Sequence, residues 1–187
     1  MRLILVRHCE PDWPEGWTDA DVGLTERGRE QAKAVGEELA RRLPAEADGP
    51  ILASPARRVL ETADIVATKL AVPVEQDDRL WLKLLAEPEV RRHFTEGIAD
   101  SALLAELEAV SERAWQWASQ LGQERPDARI VVLSHDTVIA GIVCRTLSMP
   151  IADMRRMRID MGSISVIDFR PQRTILASLN ETHHLGT

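Results

Sequence analysis

Two histidines stand at the ends of predicted strands in this sequence. His8 comes just after the apolar run Leu3–Val6, and His135 comes just after the β-branched run Ile130–Leu133. Continuous apolar runs of this length are typical of strands buried on both faces of a parallel sheet. Because ligands bind at the carboxyl ends of such strands, we expect both imidazole rings to point into one crevice.

Two arginines accompany these histidines. Arg7 directly precedes His8, and Arg58 lies near the start of a helix predicted to follow Ser54. Guanidinium groups bind anions through planar pairs of donors, and the helix N-termini predicted after Ser54 and His135 add partial positive charge. A neutral histidine can attack phosphorus through one ring nitrogen while a hydrogen bond fixes the other. The pattern therefore favours a site for a phosphoryl group.

Purely structural roles are the alternative for each residue taken singly. A histidine after a strand is commonly a hydrogen-bonded edge residue, and a surface arginine is commonly a solvated charge, which is the role expected for Arg57. We expect Cys9 to be a small packing residue, because no arginine follows it at the spacing of a phosphate-binding cysteine loop. The catalytic hypothesis rests on two histidines placed alike after two separate strands.

Alternating strands and helices are predicted around these residues. Thr25 is expected to cap a helix that Pro44 ends, and Ser54 to cap a helix with Pro55 in its first turn that runs to about Leu70. Further elements are helices over 102–121 and 137–147, short strands over 3–6, 51–53 and 128–136, and a hairpin over 162–179. The pattern predicts an α/β sandwich with a mainly parallel sheet and a lid-like, partly helical segment at about 78–100.

Length, charge and cysteine content limit the function classes. The chain has 187 residues, 44% of them apolar, which predicts a single domain over 1–187. A net charge of −7 argues against a nucleic-acid or membrane binder. Two distant cysteines predict neither a disulfide framework nor a metal cluster. The apolar run at residues 1–6 is too short for a signal peptide, so we expect a cytoplasmic protein.

Four ordered motifs resemble those of the histidine phosphatase superfamily, also called the phosphoglycerate mutase-like family. They are VRHCE at 6–10, LTERGREQA at 24–32, SPARRVLETA at 54–63 and LSHDTVI at 133–139, and the end of the chain, with Asn180 and His184-Leu185, is also similar. The resemblance implies a three-layer α/β/α fold, a phosphohistidine intermediate, no metal and no cofactor.

The resemblance also implies roles for four residues of this sequence. His8 matches the nucleophile, and Arg7 beside it matches a ligand of the phosphoryl oxygens. Arg58, four positions after Ser54, matches the second phosphate-binding arginine. His135 matches the second histidine, which contacts the phosphoryl group and stabilises the transition state.

The sequence departs from the family pattern at four positions. Cys9 replaces a glycine, Pro11 a hydroxyl residue and Pro14 an asparagine, so one phosphate contact is expected to be missing. The mutase-like branch carries a proton-donating glutamate where this chain has Leu82. Either another carboxylate has taken its place, or the leaving group needs no acid.

Asp136 is the first candidate for the missing acid. It follows His135 directly, and this His-Asp pair resembles the acid phosphatase and phytase branch, in which the aspartate protonates the leaving alcohol. Glu87 and Glu89, in the predicted lid, are the alternative acids. A simple helix cap is the structural alternative for Asp136.

These residues predict a metal-independent phosphatase that hydrolyses a small phosphomonoester through phosphohistidine at His8. A protein phosphohistidine or acyl-phosphate phosphatase is one alternative, since such leaving groups need little protonation. A regulatory module that binds phosphate without turnover is another. Mutase activity is disfavoured because its glutamate is missing. The expected partner is a phosphorylated small molecule, with no nucleic acid and no membrane, and the sequence indicates neither the substrate nor the oligomeric state.

Overall fold

A six-stranded sheet forms the centre of the computed structural model, which describes residues 1–13, 22–43, 49–81 and 101–186. The strand order is β3-β2-β4-β1-β5-β6. β1, β2, β3 and β4 are parallel, whereas β5 and β6 form an antiparallel hairpin at one edge. The strands are β1 Arg2–Arg7, β2 Ile51–Ala53, β3 Val74–Gln76, β4 Arg129–Ser134, β5 Ile164–Arg170 and β6 Arg173–Glu181.

Helices cover both faces of this sheet. α1 (Glu26–Arg42) and α2 (Arg57–Leu70) pack on one face, and α3 (Ser101–Glu124) and α4 (Asp136–Thr146) pack on the other. Strand residues alternate between the two cores: in β1, Leu3 and Leu5 face α3 and α4, while Ile4 and Val6 face α1 and α2. Short 3₁₀ helices lie at Asp78–Leu80, Ile151–Arg156 and His183–Leu185. The predicted α/β class with three layers and a mainly parallel sheet is confirmed.

The strongly periodic elements agree with prediction within a few residues. Thr25 caps α1 as expected, because its hydroxyl accepts a hydrogen bond from the Gly28 N–H at 2.9 Å. The prediction for the start of α2 is wrong. Its cap is Ala56, which makes no side-chain cap bond, and Pro55 precedes the cap. The sequence did not predict strand β3, because it is a short strand at the edge of the sheet and its side chains are mostly exposed.

The pairing of β1 with β4 brings the two histidines together. Arg7 pairs with Ser134 in this parallel register, and the His8 N–H donates to the Ser134 carbonyl at 3.0 Å. The end of β2 joins them, since the Ser54 N–H donates to the Leu133 carbonyl at 3.0 Å. Three strands therefore end at one place, as the sequence predicted.

Most of the predicted lid lies outside the described residues, which stop at Trp81 and resume at Ser101. The part that is described begins with the 3₁₀ helix Asp78–Leu80. Leu80 is fully buried, and its carbonyl accepts a hydrogen bond from the Ser134 hydroxyl at 2.7 Å. This end of the segment is thus fixed to the end of β4. The single-domain prediction stays a prediction.

No helix in the described ranges is long and apolar enough to cross a membrane.

Candidate active site

The rings of His8 and His135 lie side by side at the carboxyl end of the sheet. Their centroids are 5.4 Å apart and their planes meet at 65°. Both side chains are buried, with exposed fractions of 3% and 6%. The two histidines that were expected to meet at this edge of the sheet are therefore neighbours in the structure.

Hydrogen bonds define the protonated nitrogen of His8. Its Nδ1 lies 2.9 Å from the Cys9 carbonyl, which can only accept, so Nδ1 carries the proton. Its Nε2 accepts from the Arg58 Nε–H at 3.3 Å. The lone pair of Nε2 is therefore directed at the Arg58 guanidinium.

His135 has the opposite tautomer. Its Nδ1 accepts from Arg58 Nη2 at 2.9 Å, so the proton of the neutral ring lies on Nε2 and is donated to the Ser54 hydroxyl at 2.9 Å. Ser54 is fully buried and orients this ring instead of capping α2. Sequence reasoning missed this partner, although Ser54 at the end of β2 is placed like the histidines at the ends of their strands.

Arg58 connects the two rings. It lies in the first turn of α2, is 4% exposed, and donates to both His8 and His135. Its guanidinium also lies 5.4 Å from the ring centroid of Trp13. One helical turn later, the Thr62 hydroxyl donates to the Arg58 carbonyl and accepts from the Cys9 N–H. The i, i+4 spacing of Arg58 and Thr62 is the signal by which the sequence could have indicated Thr62.

The guanidinium of Arg7 contacts two further segments of the chain. Its Nη1 donates to the Ile159 carbonyl at 2.6 Å, and its Nη2 lies 3.2 Å from Asp136 Oδ2. Its Nε is buried without a hydrogen-bond partner within the described ranges. A buried N–H of this kind is costly unless a ligand oxygen accepts from it.

Asp136 is the first residue of α4, and its side chain is 43% exposed. One carboxylate oxygen accepts from the N–H of the next residue, Thr137, at 2.8 Å, while the other pairs with Arg7. The helix cap is His135, so Asp136 does not have the capping role that was its structural alternative. The carboxylate is thus beside the phosphoryl-binding candidates. Glu87 and Glu89, the alternative acids, lie outside the described residues.

Cys9 occupies a packing position. Its side chain is fully buried in the core beneath α1 and α2, and burial raises the pKa of its thiol to about 12. A thiol in this state is a poor nucleophile. Arg57, assigned to the surface, forms an exposed ion pair with Glu61 at 2.8 Å. Pro11 forms an isolated bridge with Leu24, whereas Pro14 and Leu82 lie outside the described residues.

Burial and positive neighbours keep both histidines neutral. The pKa of His8 is held well below its ordinary value, first by burial and then by the charges of Arg58 and Arg7. The same causes, with His8 added, lower the pKa of His135. Within the part of the chain that the structure describes, no three His, Cys, Asp or Glu side chains are grouped so that they could hold a metal ion.

The family profile of the histidine phosphatase superfamily (branch 1) matches residues 3–81 and 84–182 of this chain. The chain belongs to this superfamily. The profile match spans all four motifs and is interrupted only at the residues that include Leu82. The resemblance, and with it the prediction of an enzyme of the histidine phosphatase type, is confirmed.

Individual members of the superfamily are similar over nearly the whole chain. Phosphoserine phosphatase 1 of Hydrogenobacter thermophilus is 29% identical and aligns with 100% of this chain and 95% of its own length. The mitochondrial serine/threonine-protein phosphatase Pgam5 of Drosophila persimilis is 29% identical over 92% of this chain, which spans 60% of that protein. The crystal structure of Entamoeba histolytica phosphoserine phosphatase with 3-phosphoglyceric acid has a TM-score of 0.76, with 22% identity and 98% coverage of both chains. That structural likeness shows a shared fold.

The lowered histidine pKa values predict how stability depends on pH. Below about pH 6.5 the unfolded chain binds protons that the folded protein excludes, so the free energy of unfolding falls as pH decreases. Each ring contributes up to about 1.4 kcal/mol per pH unit below that point. Urea unfolding at pH 7.5 and 5.5 measures this loss, and the doubly substituted His8→Asn/His135→Asn protein should lose much less. Equal losses in both proteins would contradict neutral rings.

Proposed function

We propose that this protein is a metal-independent phosphatase that hydrolyses a small phosphomonoester through a phosphohistidine at Nε2 of His8. The observation that carries the proposal is the hydrogen bond from His8 Nδ1 to the Cys9 carbonyl at 2.9 Å, because it leaves Nε2 unprotonated beside Arg58. An imidazole fixed in this tautomer is a competent nucleophile near neutral pH. Membership of the superfamily and the phosphatase names of relatives support the reaction class.

The first step forms a bond from His8 Nε2 to phosphorus and breaks the bond from phosphorus to the ester oxygen. Charge on the three remaining oxygens is stabilised by the guanidinium groups of Arg58 and Arg7, whose buried Nε–H then gains an acceptor. His135 accepts a hydrogen bond from Arg58 at the N-terminus of α4 and so helps to hold that guanidinium in position. The two guanidinium groups are in place before the substrate arrives, which is what efficient electrostatic stabilisation requires.

Asp136 is the proposed general acid. Its carboxyl group gives a proton to the departing alcohol oxygen. The resulting carboxylate then accepts a proton from a water molecule whose oxygen attacks phosphorus, while the phosphorus–nitrogen bond to His8 breaks. Hydrolysis of that bond returns His8 to its neutral form and releases inorganic phosphate. The support for this role is proximity, because Asp136 Oδ2 lies 3.2 Å from the Nη2 atom of Arg7.

A small substrate is supported by relatives with that activity. The bacterial relative of nearly equal length is named as a phosphoserine phosphatase, and the Entamoeba structure holds 3-phosphoglyceric acid. The alternative that the substrate is an acyl phosphate or a protein phosphohistidine is favoured by one observation. Asp136 is engaged with both Arg7 and the Thr137 N–H, so a leaving group that needs no proton would suit the site as it stands.

Replacement of His8 tests the nucleophile. We expect His8→Ala to lower kcat for any hydrolysed phosphomonoester by at least about 10³-fold, because it removes the imidazole whose Nε2 lone pair is the proposed nucleophile. A wild-type protein mixed rapidly with ³²P-labelled substrate and quenched in base should retain label on the protein. His183→Ala, at a largely exposed histidine that contacts Glu38, is the matched control and should keep its label. Unchanged turnover in His8→Ala would refute the assignment.

Replacement of Asp136 tests the acid. Asp136→Asn should lower kcat for an alkyl phosphate by about 10²-fold or more, yet keep most activity on p-nitrophenyl phosphate, whose leaving group needs little protonation. Steady-state kinetics on both substrates measure this difference. Asp153→Asn, a surface carboxylate on the 3₁₀ helix Ile151–Arg156, is the control. If Asp136→Asn hydrolysed each of the two substrates as fast as the wild-type protein does, the site would use another acid or none.

A further inference from the structure

A cavity of about 350 Å³ lies between the start of α4 and the segment 151–159. Four of its described lining residues are apolar, and two of these are methionines, whose flexible side chains adapt to the shape of a ligand. The lining residues that the structure describes are Asp136, Thr137, Ala140, Met154, Arg155, Met157 and Ile159. The volume is at the small end of the range for ligand pockets, about 300–1,000 Å³.

The cavity adjoins the phosphoryl site through Arg7. The two groups that this guanidinium contacts, the Ile159 carbonyl and the Asp136 carboxylate, belong to residues of the cavity wall. An acid must lie within hydrogen-bond reach of the oxygen that it protonates. If Asp136 is that acid, the leaving alcohol departs at the wall of this cavity.

Thr137 gives the cavity a polar position. The residue is 4% exposed, and its hydroxyl is buried without a hydrogen-bond partner among the described residues. Buried hydroxyl groups are normally hydrogen-bonded, so an unpaired one beside a cavity offers a donor and an acceptor to a polar atom of a ligand. The four apolar lining residues are suited to a hydrocarbon group of the ligand.

We propose that this cavity binds the leaving group of the substrate, which is a compact alcohol with an apolar body and a polar atom near the ester. The proposal rests on the function proposed above and adds the substrate class. Arg155 lines the same cavity and adds positive charge, so an anionic substituent on the alcohol is compatible with it.

Methyl phosphate and n-butyl phosphate test the cavity, because their leaving groups have similar acidity and differ in apolar length. The wild-type protein should prefer butyl phosphate by roughly tenfold or more in kcat/KM. Met157→Trp fills the cavity and should reduce the preference below threefold. Gln123→Trp, at the distant cavity near the hairpin, is the matched control and should retain the preference.

Each result decides one question. No butyl preference in the wild type, or an unchanged preference in Met157→Trp, would overturn the cavity proposal. Ala140→Leu narrows the opposite wall and repeats the test should the tryptophan variant not fold. Retention of ³²P label on His8 reports the proposed function separately, since it does not depend on this preference.

A second inference comes from the turn at residues 159–162, which forms hydrogen bonds with Arg7 and with the backbone of His8. Its Ile159 carbonyl accepts from Arg7 Nη1. Its Gly162 N–H donates to the carbonyls of Arg7 and His8, at 3.1 and 3.3 Å. The position and direction of both functional residues thus depend on this turn.

Two residues near the end of the chain hold that turn. The Asn180 side chain accepts from the Asp160 N–H at 2.6 Å and donates to the Asp160 carboxylate at 2.9 Å. His184 Nε2 donates to the Gly162 carbonyl at 2.9 Å. Asn180 has a φ of 55°, a left-handed conformation that asparagine tolerates better than most residues, at a bulge between β5 and β6.

The geometry points to Asn180 and His184 as positioning residues for Arg7 and His8. Neither side chain contacts the crevice itself. They act through the backbone of the turn, so their loss should displace the nucleophile and the anion-binding guanidinium while the sheet remains formed. Small displacements of this kind lower kcat strongly in preorganised sites.

The test compares neighbouring histidines. His184→Ala should lower kcat at least fivefold and change KM less than twofold. The amide N–H of glutamine can reach the Gly162 carbonyl, so His184→Gln should have a kcat at least threefold higher than that of the alanine variant. His183→Ala is the control. The His183 ring packs against His184 with centroids 5.7 Å apart, but its hydrogen bond goes to Glu38 and not to the turn, so this variant should keep more than half of wild-type kcat.

Asn180→Asp adds a measurement that does not depend on His184. It removes the amide donor and places a second carboxylate beside Asp160, so kcat should again fall at least fivefold. A His184→Ala protein as active as His183→Ala, a glutamine variant no better than alanine, or a fully active Asn180→Asp protein would each overturn the positioning role.

Discussion

A permanently charged guanidinium between two buried imidazoles is the interaction on which the rest of this site depends. Arg58 can only donate hydrogen bonds, so each ring nitrogen that it contacts must be unprotonated and accept through its lone pair. This one cation therefore selects the tautomer of His8 and of His135 and disfavours protonation of both. A site of this kind is complementary to an anion, because anionic oxygens can replace the ring nitrogens as acceptors of the Arg58 N–H groups and so release the lone pair of His8 Nε2.

The fold provides Arg58 with a fixed location. β2 ends at Ala53, Ser54 bonds to His135, and α2 begins three residues later with the arginine in its first turn. Thr62 then ties the same helix to the backbone beside His8. The two histidines and the arginine thus follow the ends of three different strands, and buried hydrogen bonds connect their side chains.

The sequence predicts the periodic parts of the structure and which side chains meet at the carboxyl end of the sheet. Apolar runs locate β1 and β4, and the parallel-sheet rule then places His8 and His135 at one edge. The short strand β3 and the cap of α2 were not predictable in this way, because both depend on tertiary contacts. Ser54 has the composition of a helix cap, yet the buried ring of His135 takes its hydroxyl. Ion pairing of Asp136 with Arg7 likewise depends on the packing of α4 against the end of β1.

The pairing of β1 has a consequence for how the protein folds. Leu3 pairs with Ile130 on one side and with Ile167 on the other, so the first strand finds its partners only among residues from the last third of the chain. Contacts between residues so distant in sequence carry a large loop-closure entropy and slow the folding of a domain. During synthesis, β1 must therefore wait at least until residue 134 has emerged, and a shorter partial product has this apolar strand without a partner.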